Sequence, residues 1–141
     1  MGIDARYNSE SWGGSDVKHK GICPTGWHLP SNAEWKTLID FVDSAYTDAG
    51  TKLKATSGWI SYSGVPSGLN TWDFAALPGG FGGYSDGYFN FSHIGYTGFW
   101  WSATDYKPNY AHELTMRYDV EYVNSFGTNK GALISVRCLQ N

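Results

Sequence analysis

The sequence contains one strong helix signal, and it lies close to the start of the chain. Ser31-Asn-Ala-Glu34 matches a capping box, in which Ser31 accepts a hydrogen bond from the Glu34 backbone and Glu34 accepts one from the Ser31 backbone. Four apolar residues then recur with the spacing of one helix face, namely Trp35, Leu38, Ile39 and Val42. We therefore expect a helix of about 12 residues after Ser31, and a capping rather than a catalytic role for Glu34.

The rest of the sequence predicts short antiparallel strands separated by turns. Residues 99–104 are expected to form a central strand, and neighbouring strand residues point to opposite faces, so at least one of Trp100 and Trp101 should be buried. With the helix early and the strands late, the order is that of an α+β fold. The remaining expectations are a helix or strand at 51–55, a strand at 74–78, hairpin loops over 81–98, turns at 105–109 and 124–131, a hairpin tip at Tyr118 and Asp119 followed by the start of a return strand at 120–123, and a buried final strand at 132–139.

Composition and charge exclude two classes of partner. The 141 residues are enough for one domain with its own core. The net charge is −3 with only 10 Lys and Arg, which argues against nucleic acid, because phosphate binding needs a concentrated basic surface. No apolar run is long enough to enter a membrane. The high aromatic fraction, 17%, together with 18 glycines, favours a loop-rich extracellular or surface module.

The candidate cysteine and metal sites are few. Cys23 and Cys138 are the only two cysteines and lie 115 positions apart. A single pair of cysteines at this spacing is compatible with a disulfide and also with two buried free thiols. His28 has no second metal-type residue at ligand spacing, so a packing role is expected for it. We expect no cofactor and no metal, with one weak alternative. A structural calcium ion would use oxygens from Gly82, Gly83, Asp86, Gly87 and Asn90, whose spacing matches no known calcium loop.

Three sequence blocks carry a resemblance to a known family. They are Cys23-Pro-Thr-Gly-Trp-His-Leu-Pro-Ser-Asn-Ala-Glu-Trp35, then Ala76-Leu-Pro-Gly-Gly80, then Trp100-Trp-Ser-Ala-Thr104 with Ser135-Val-Arg-Cys138. Over residues 22–141 the chain resembles the Fibrobacter succinogenes major paralogous domain, a bacterial family rich in Bacteroidetes surface proteins and lipoproteins. Residues 1–21 would then be a lead-in segment of the same single domain.

The resemblance implies a fold, a disulfide and a location. The fold would be C-type-lectin-like, of the formylglycine-generating-enzyme branch, with one or two short helices and small twisted antiparallel sheets. The first cysteine would lie against the last strand, which implies a Cys23–Cys138 disulfide. The chain would be a piece of a longer precursor, with a secretion signal or lipoprotein anchor upstream, and would act outside the cell or at its surface.

The segment 105–130 is similar to the diversified segment of retroelement variable proteins, which share this fold. Such segments are rich in Asn, Tyr, Asp and Ser, but Glu113, Met116, Glu121 and Lys130 depart here from a heavily Asn-biased pattern. The residues of those four types in this segment include Tyr106, Asn109, Tyr110, Tyr118, Asp119, Tyr122, Asn124, Ser125 and Asn129. The leading hypothesis is a non-enzymatic ligand-binding or adhesion module that contacts a protein or glycan on another cell or surface. Its expected contact residues are Trp101, Tyr106, Asn109, Tyr110, His112, Glu113, Arg117, Tyr118, Asp119, Tyr122 and Asn124.

Two alternatives remain at this point. A formylglycine-generating oxidoreductase would need two reactive cysteines close together, which structurally placed cysteines would not supply. A carbohydrate-binding lectin would use calcium or aromatic stacking. Lys107-Pro-Asn109 is similar to the Glu-Pro-Asn motif of sugar-binding relatives, but a lysine replaces the carboxylate that binds the ion. Stacking without metal would involve Trp101 and Tyr110.

Overall fold

The computed structural model describes residues 18–85 and 87–141. Within them the strands form three antiparallel sheets, β1–β7, β2–β3 and β4–β5–β6. The elements are β1 Trp27–His28, α1 Asn32–Val42, α2 Ala49–Leu53, β2 Phe81–Ser85, β3 Tyr88–Ser92, β4 Thr97–Lys107, β5 Tyr110–Arg117, β6 Val123–Asn129 and β7 Leu139–Gln140. The predicted α+β class, with two short helices, small antiparallel sheets and many loops, is confirmed.

Helix α1 begins where the capping box predicts. The Ser31 side chain accepts from the Glu34 backbone at 3.2 Å, and the Ser31 backbone donates to Glu34 Oε2 at 2.8 Å. A second contact comes from the sheet, because the Asn32 N–H donates to Thr104 Oγ1 at 2.9 Å. The bonds made by the Asn32 and Glu34 N–H groups satisfy amides that have no partner within the first turn of the helix. The helix start is therefore fixed by its own sequence and by β4.

Strand β4 separates two packed clusters. Trp100 lies in the main core between the sheet and the helices. Trp101 points to the other face and packs against a smaller cluster that contains Cys23, Leu29, Ala103 and Cys138. The predicted alternation of the two tryptophans is confirmed. The main core contains Trp35, Ile39, Val42, Ala49, Leu53, Ala76, Trp100, Leu114 and Met116.

The expected disulfide joins Cys23 to Cys138. Cys23 is buried, and the bond ties the segment before α1 to the last residues of the domain. The same region holds the β1–β7 pair, in which Trp27 and His28 lie opposite Gln140 and Leu139. The beginning and the end of residues 22–141 therefore meet at one place.

Of the two turns predicted at 105–109 and 124–131, the first is shorter than predicted and the second is mostly a strand. Strand β4 continues to Lys107, and the turn consists of Pro108 and Asn109, the latter with φ +63°. Proline followed by a positive-φ asparagine suits a tight two-residue connection. Residues 124–131 were expected to be a turn, but most of them belong to β6, which pairs with β5 from Met116↔Val123 to Tyr110↔Asn129. An edge strand with a half-exposed face does not require an apolar pattern.

The predicted final strand at 132–139 is also wrong. Leu133 exchanges backbone hydrogen bonds with Gly82 in β2, whereas Ser135 bonds to Phe99 and Trp101 in β4. Because the segment bonds to two different sheets within three residues, it forms a continuous strand in neither sheet. Leu133 is 46% exposed, which contradicts the expected burial. Residues 74–78 likewise form no strand, since Ala76 makes only an isolated bridge to Lys54.

Neither helix in the described residues has the length and apolar character needed to cross a lipid bilayer.

Replacing both cysteines with serine should destabilise the domain strongly. The bond closes a loop of 115 residues, and the chain-entropy model assigns such a loop about 4–5 kcal/mol of stabilisation. We expect urea unfolding of Cys23→Ser/Cys138→Ser to show that loss in unfolding free energy. Reduction of the disulfide in the wild-type protein should lower the unfolding free energy by a similar amount. Equal midpoints for the oxidised wild type and the double variant would contradict this prediction.

Candidate functional site

The tight turn between β4 and β5 brings together one group of the expected contact residues. These are Tyr106, Asn109, Tyr110 and His112, and together with Lys107, which was not among the expected contact residues, we call them the tip cluster. Lys107 Nζ lies 4.4 Å from the ring centroid of Tyr110 and 6.0 Å from that of Tyr106. The Tyr106 and His112 rings meet edge to face, with centroids 5.1 Å apart. The aromatic rings of the tip are therefore held by contacts with one another and with one cation.

Gly127 provides the space under Tyr106. A Cβ atom at position 127 would lie only 2.1 Å from Tyr106 Cδ1, so the ring packs directly on the β6 backbone. His112 is opposite Gly127 in the β5–β6 pair, which places both residues on the same face of the sheet. Tyr106 remains 54% exposed. One side of its ring thus contacts the protein, and the rest is available to solvent.

Hydrogen bonds and an ion pair fix the backbone beside the tip cluster. Lys130 Nζ lies 2.6 Å from Asp105 Oδ1, and the Lys130 N–H donates to the Asn109 carbonyl at 2.9 Å. The Gly131 N–H donates to Asn129 Oδ1. His112 Nδ1 is buried and has no hydrogen-bond partner in the described part of the chain. The tip therefore combines a fixed backbone with a buried ring nitrogen to which no described residue forms a hydrogen bond.

The second group of expected contact residues lies at the other end of β5. An eight-residue strand separates its ends by about 24 Å. Arg117 donates two hydrogen bonds to Asp119, at 2.9 and 2.6 Å. Tyr118 contacts Tyr62 and Tyr96, with ring centroids 5.4 and 5.1 Å away. Tyr122 and Asn124 follow at the start of β6. The structure therefore divides the expected contact residues between two separate surfaces.

Trp101 and Glu113 point into the domain. They are opposite each other in the β4–β5 pair. Trp101 is half-buried against the disulfide cluster, and Glu113 is only 2% exposed. Burial raises the pKa of the Glu113 carboxyl, and hydrogen bonds from Thr115 and Thr128 offset part of that effect. Thr115 Oγ1 donates to Glu113 Oε1 at 2.7 Å. These two side chains support the sheet from inside.

His28 and Glu34 are structural. His28 is buried, with Nε2 2.9 Å from Glu34 Oε1 and Nδ1 2.8 Å from Asn141 Oδ1. Burial alone would raise the pKa of Glu34, but hydrogen bonds from Ser31 and His28 lower it overall. Both ring nitrogens of His28 are engaged, which matches the packing role expected from the sequence.

Two features were missed by sequence reasoning. Lys54 is buried, and the only signal for it was its position between Leu53 and Ala55, both of which are apolar. The β2–β3 hairpin exposes several large aromatic side chains on its surface, although the alternation of glycine and aromatic residues indicated only hairpin loops. These side chains are Tyr84, Tyr88, Phe89 and Phe91.

No group of three or more His, Cys, Asp or Glu side chains is arranged for a metal ion within residues 18–85 and 87–141. Asp86, which supplied the carboxylate of the calcium alternative, lies outside the described residues.

Comparison with known proteins assigns the chain to a family. The family model described as the Fibrobacter succinogenes major domain matches residues 6–140. The chain belongs to this family. No curated protein and no solved structure matches it. In this Fibrobacter succinogenes major domain, the first and the last of the sequence blocks that carry the resemblance form the capped helix, the double-tryptophan strand and the disulfide. The tip cluster lies between those blocks in the sequence.

Replacing Gly127 with alanine should displace Tyr106 and leave the fold intact. The added methyl group occupies the position of the Tyr106 ring, and that ring is free to swing into solvent because it is half exposed. We expect nuclear Overhauser contacts between Tyr106 and His112 to disappear, while contacts of Trp100 in the core persist. If the Tyr106–His112 contacts persist in Gly127→Ala, the packing of the Tyr106 ring on the Gly127 backbone is wrong.

Glu113 should make folding stability depend on pH. Its folded-state pKa is raised above the ordinary value of 4.5, so the folded protein binds the proton more tightly than the unfolded chain does. The unfolding free energy should therefore fall as pH rises from 4.5 through the raised pKa. Urea unfolding of the wild type and Glu113→Gln between about pH 3 and about pH 8 measures this contribution.

Glu34→Gln is the matched control for that measurement. Because the pKa of Glu34 is lowered in the folded state, its contribution to stability is present above 4.5 and is lost as pH falls. The difference between wild type and Glu34→Gln should thus change in the opposite direction with pH. A flat difference profile for Glu113→Gln would contradict the burial effect.

Proposed function

We propose that this domain is a non-enzymatic ligand-binding or adhesion module that acts outside the cell and contacts its ligand with the tip cluster. The observation that carries the proposal is the arrangement of Tyr106 and Tyr110 around Lys107. These rings stand at the exposed end of a sheet that the Cys23–Cys138 disulfide braces from behind. The ligand is a protein or a glycan on another cell or surface.

The chemistry of the tip cluster suits recognition. A tyrosine side chain offers a large, rigid contact area with a polar end, and it loses little conformational entropy on binding. Asn109 and His112 add hydrogen-bonding groups. Contacts with Gly127 and Lys107 already restrict the tyrosine rings before a ligand arrives, and such preorganisation lowers the entropic cost of association.

The scaffold proposed for this surface is C-type-lectin-like. Its support is the order of elements, with a first cysteine, a capped helix, small antiparallel sheets and a last cysteine bonded to the first. The segment between the double-tryptophan strand and the final cysteine corresponds to the one that retroelements diversify in related proteins. We include such diversification of residues 105–130 in the proposal. Among them, the tip residues have the exposure that tolerates sequence change.

The state of the cysteines favours a binding module over the oxidoreductase alternative. That chemistry needs two reactive thiols beside a substrate groove, and here Cys23 and Cys138 are bonded to each other next to Trp101. A disulfide also fits an extracellular location, because reducing compartments keep thiols free. For the carbohydrate alternative, the two candidates for stacking on a sugar are both half-buried: Tyr110 lies at the tip with Lys107 over its ring, and Trp101 packs against the disulfide cluster.

A double substitution at the tip should abolish ligand binding without unfolding the domain. We expect Tyr106→Ala/Tyr110→Ala to lose binding on arrays of glycans and extracellular proteins, because both rings of the contact surface are removed. Tyr122→Ala is the matched control. Tyr122 is 43% exposed and lies towards the opposite end of the sheet, so this variant should bind as the wild type does.

The same arrays separate the competing outcomes. Binding lost only in Tyr122→Ala would place the contact surface at the other end of β5 and overturn the proposal for the tip. Binding that persists in both variants would overturn it as well. Loss of glycan binding on addition of a chelator would favour a calcium lectin instead.

A further inference from the structure

A small cavity lies on the far side of the domain from the tip cluster, beside a buried lysine. Its volume is about 50 Å³, several times the roughly 10–15 Å³ that one water molecule requires. Lys54 forms part of its lining, and the aromatic part comes from Trp59, Tyr62 and Tyr118. The cavity is therefore large enough for a small polar group that is held between a cation and aromatic rings.

Lys54 has bonding capacity to spare. It is only 2% exposed, and its Nζ donates one hydrogen bond to the Val120 carbonyl at 2.7 Å. The same atom lies 5.1 Å from the Trp59 ring centroid. An ammonium group carries three N–H donors, and no described residue forms an ion pair with this one. A buried cation without a paired anion is costly, so an anionic ligand would offset that cost.

The electrostatic surroundings limit the charge of such a ligand. Burial lowers the pKa of Lys54 to about 8, and Asp119 and Glu121 act from a distance in the opposite direction. Asp119 is already bonded to Arg117 through both carboxylate oxygens. Arg117 offsets the charge of Asp119, but Glu121 still opposes added negative charge, so a singly charged anion meets less repulsion beside Lys54 than a doubly charged phosphate does.

The aromatic walls of the cavity are held by contacts with one another and with residues outside it. Trp59 Nε1 donates to the Ala76 carbonyl at 2.9 Å, which sets the orientation of the indole. Tyr118 is held edge to face between Tyr62 and Tyr96. Rings held in this way offer a preformed apolar surface next to the ammonium group.

We propose that this cavity binds a small carboxylic acid with an apolar or aromatic body. The carboxylate accepts hydrogen bonds from Lys54 Nζ, and the body of the acid packs against Tyr62 and Tyr118. This site is distinct from the tip cluster, which lies about one strand length away along β5. It goes beyond the proposed contact function and does not depend on it.

Binding of benzoate to the wild-type domain, followed through backbone amide chemical shifts, tests the proposal directly. Benzamide is the neutral control of the same shape, and acetate is the control without an aromatic body. We expect saturable benzoate shifts at residues 54–68 and at Tyr118. The affinity for benzamide and for acetate should be at least about tenfold lower. Equal affinity for benzoate and benzamide, or no saturable shift with benzoate, would overturn the carboxylate site.

Lys54→Met provides the second arm of the experiment. Methionine keeps an unbranched, apolar stem but removes the ammonium group. We expect the folded variant to lose benzoate binding at least about tenfold, with unchanged shifts in the tip cluster. Retained benzoate binding in folded Lys54→Met would refute the assignment. If the variant does not fold, the comparison of benzoate with benzamide in the wild type still tests the carboxylate site. A failure of ligand binding at the tip cluster would not change the outcome of this experiment.

Discussion

Strand β4 connects the two packed regions of this domain, because two adjacent tryptophans must point to opposite faces of a strand. Trp100 completes the core that α1 covers, and Trp101 completes the cluster around the disulfide. After Trp101 the register with β5 shifts before Asp105. Within this irregular stretch Thr104 accepts from the start of α1 and the Ala103 N–H donates to Pro30. One strand thus fixes the helix, the disulfide region and the central sheet relative to one another.

This arrangement explains why a polar, aromatic segment can stand at the end of the sheet without destabilising it. The apolar burial that stabilises the domain comes from β4, the helices and the second half of β5, where Leu114 and Met116 are buried. The residues beyond them contribute little to the core. Their identities are therefore constrained mainly by local contacts, such as the close approach of Tyr106 to Gly127. A surface supported in this way tolerates substitution better than one built from core residues.

The sequence predicted those parts of the fold that depend on local chemistry, and it failed where partners distant in the chain decide. The Ser31–Glu34 capping box and the paired tryptophans are local signals, and both were correct. The resemblance to the family added the disulfide. Residues 132–139 look like an apolar strand, yet their backbone bonds go to β2 and then to β4, which no local pattern reveals. A return strand was expected to start at 120–123, but its continuation through 124–129 was missed because polar residues satisfy an edge strand. The burial of Lys54 depends on packing from several loops, and the two apolar neighbours Leu53 and Ala55 were too weak a signal to predict it.

Sequence composition alone also could not show which of the candidate contact residues lie on one surface. A segment rich in Tyr, Asn and Asp has the composition of a contact surface along its whole length, but β5 places its two ends about 24 Å apart. At one end Arg117, Asp119 and Tyr118 use their polar groups and rings on partners within the domain. At the other end Tyr106 and Tyr110 keep part of their surface free while their orientation is fixed. Recognition needs both exposure and restraint, and these two properties coincide at the tip.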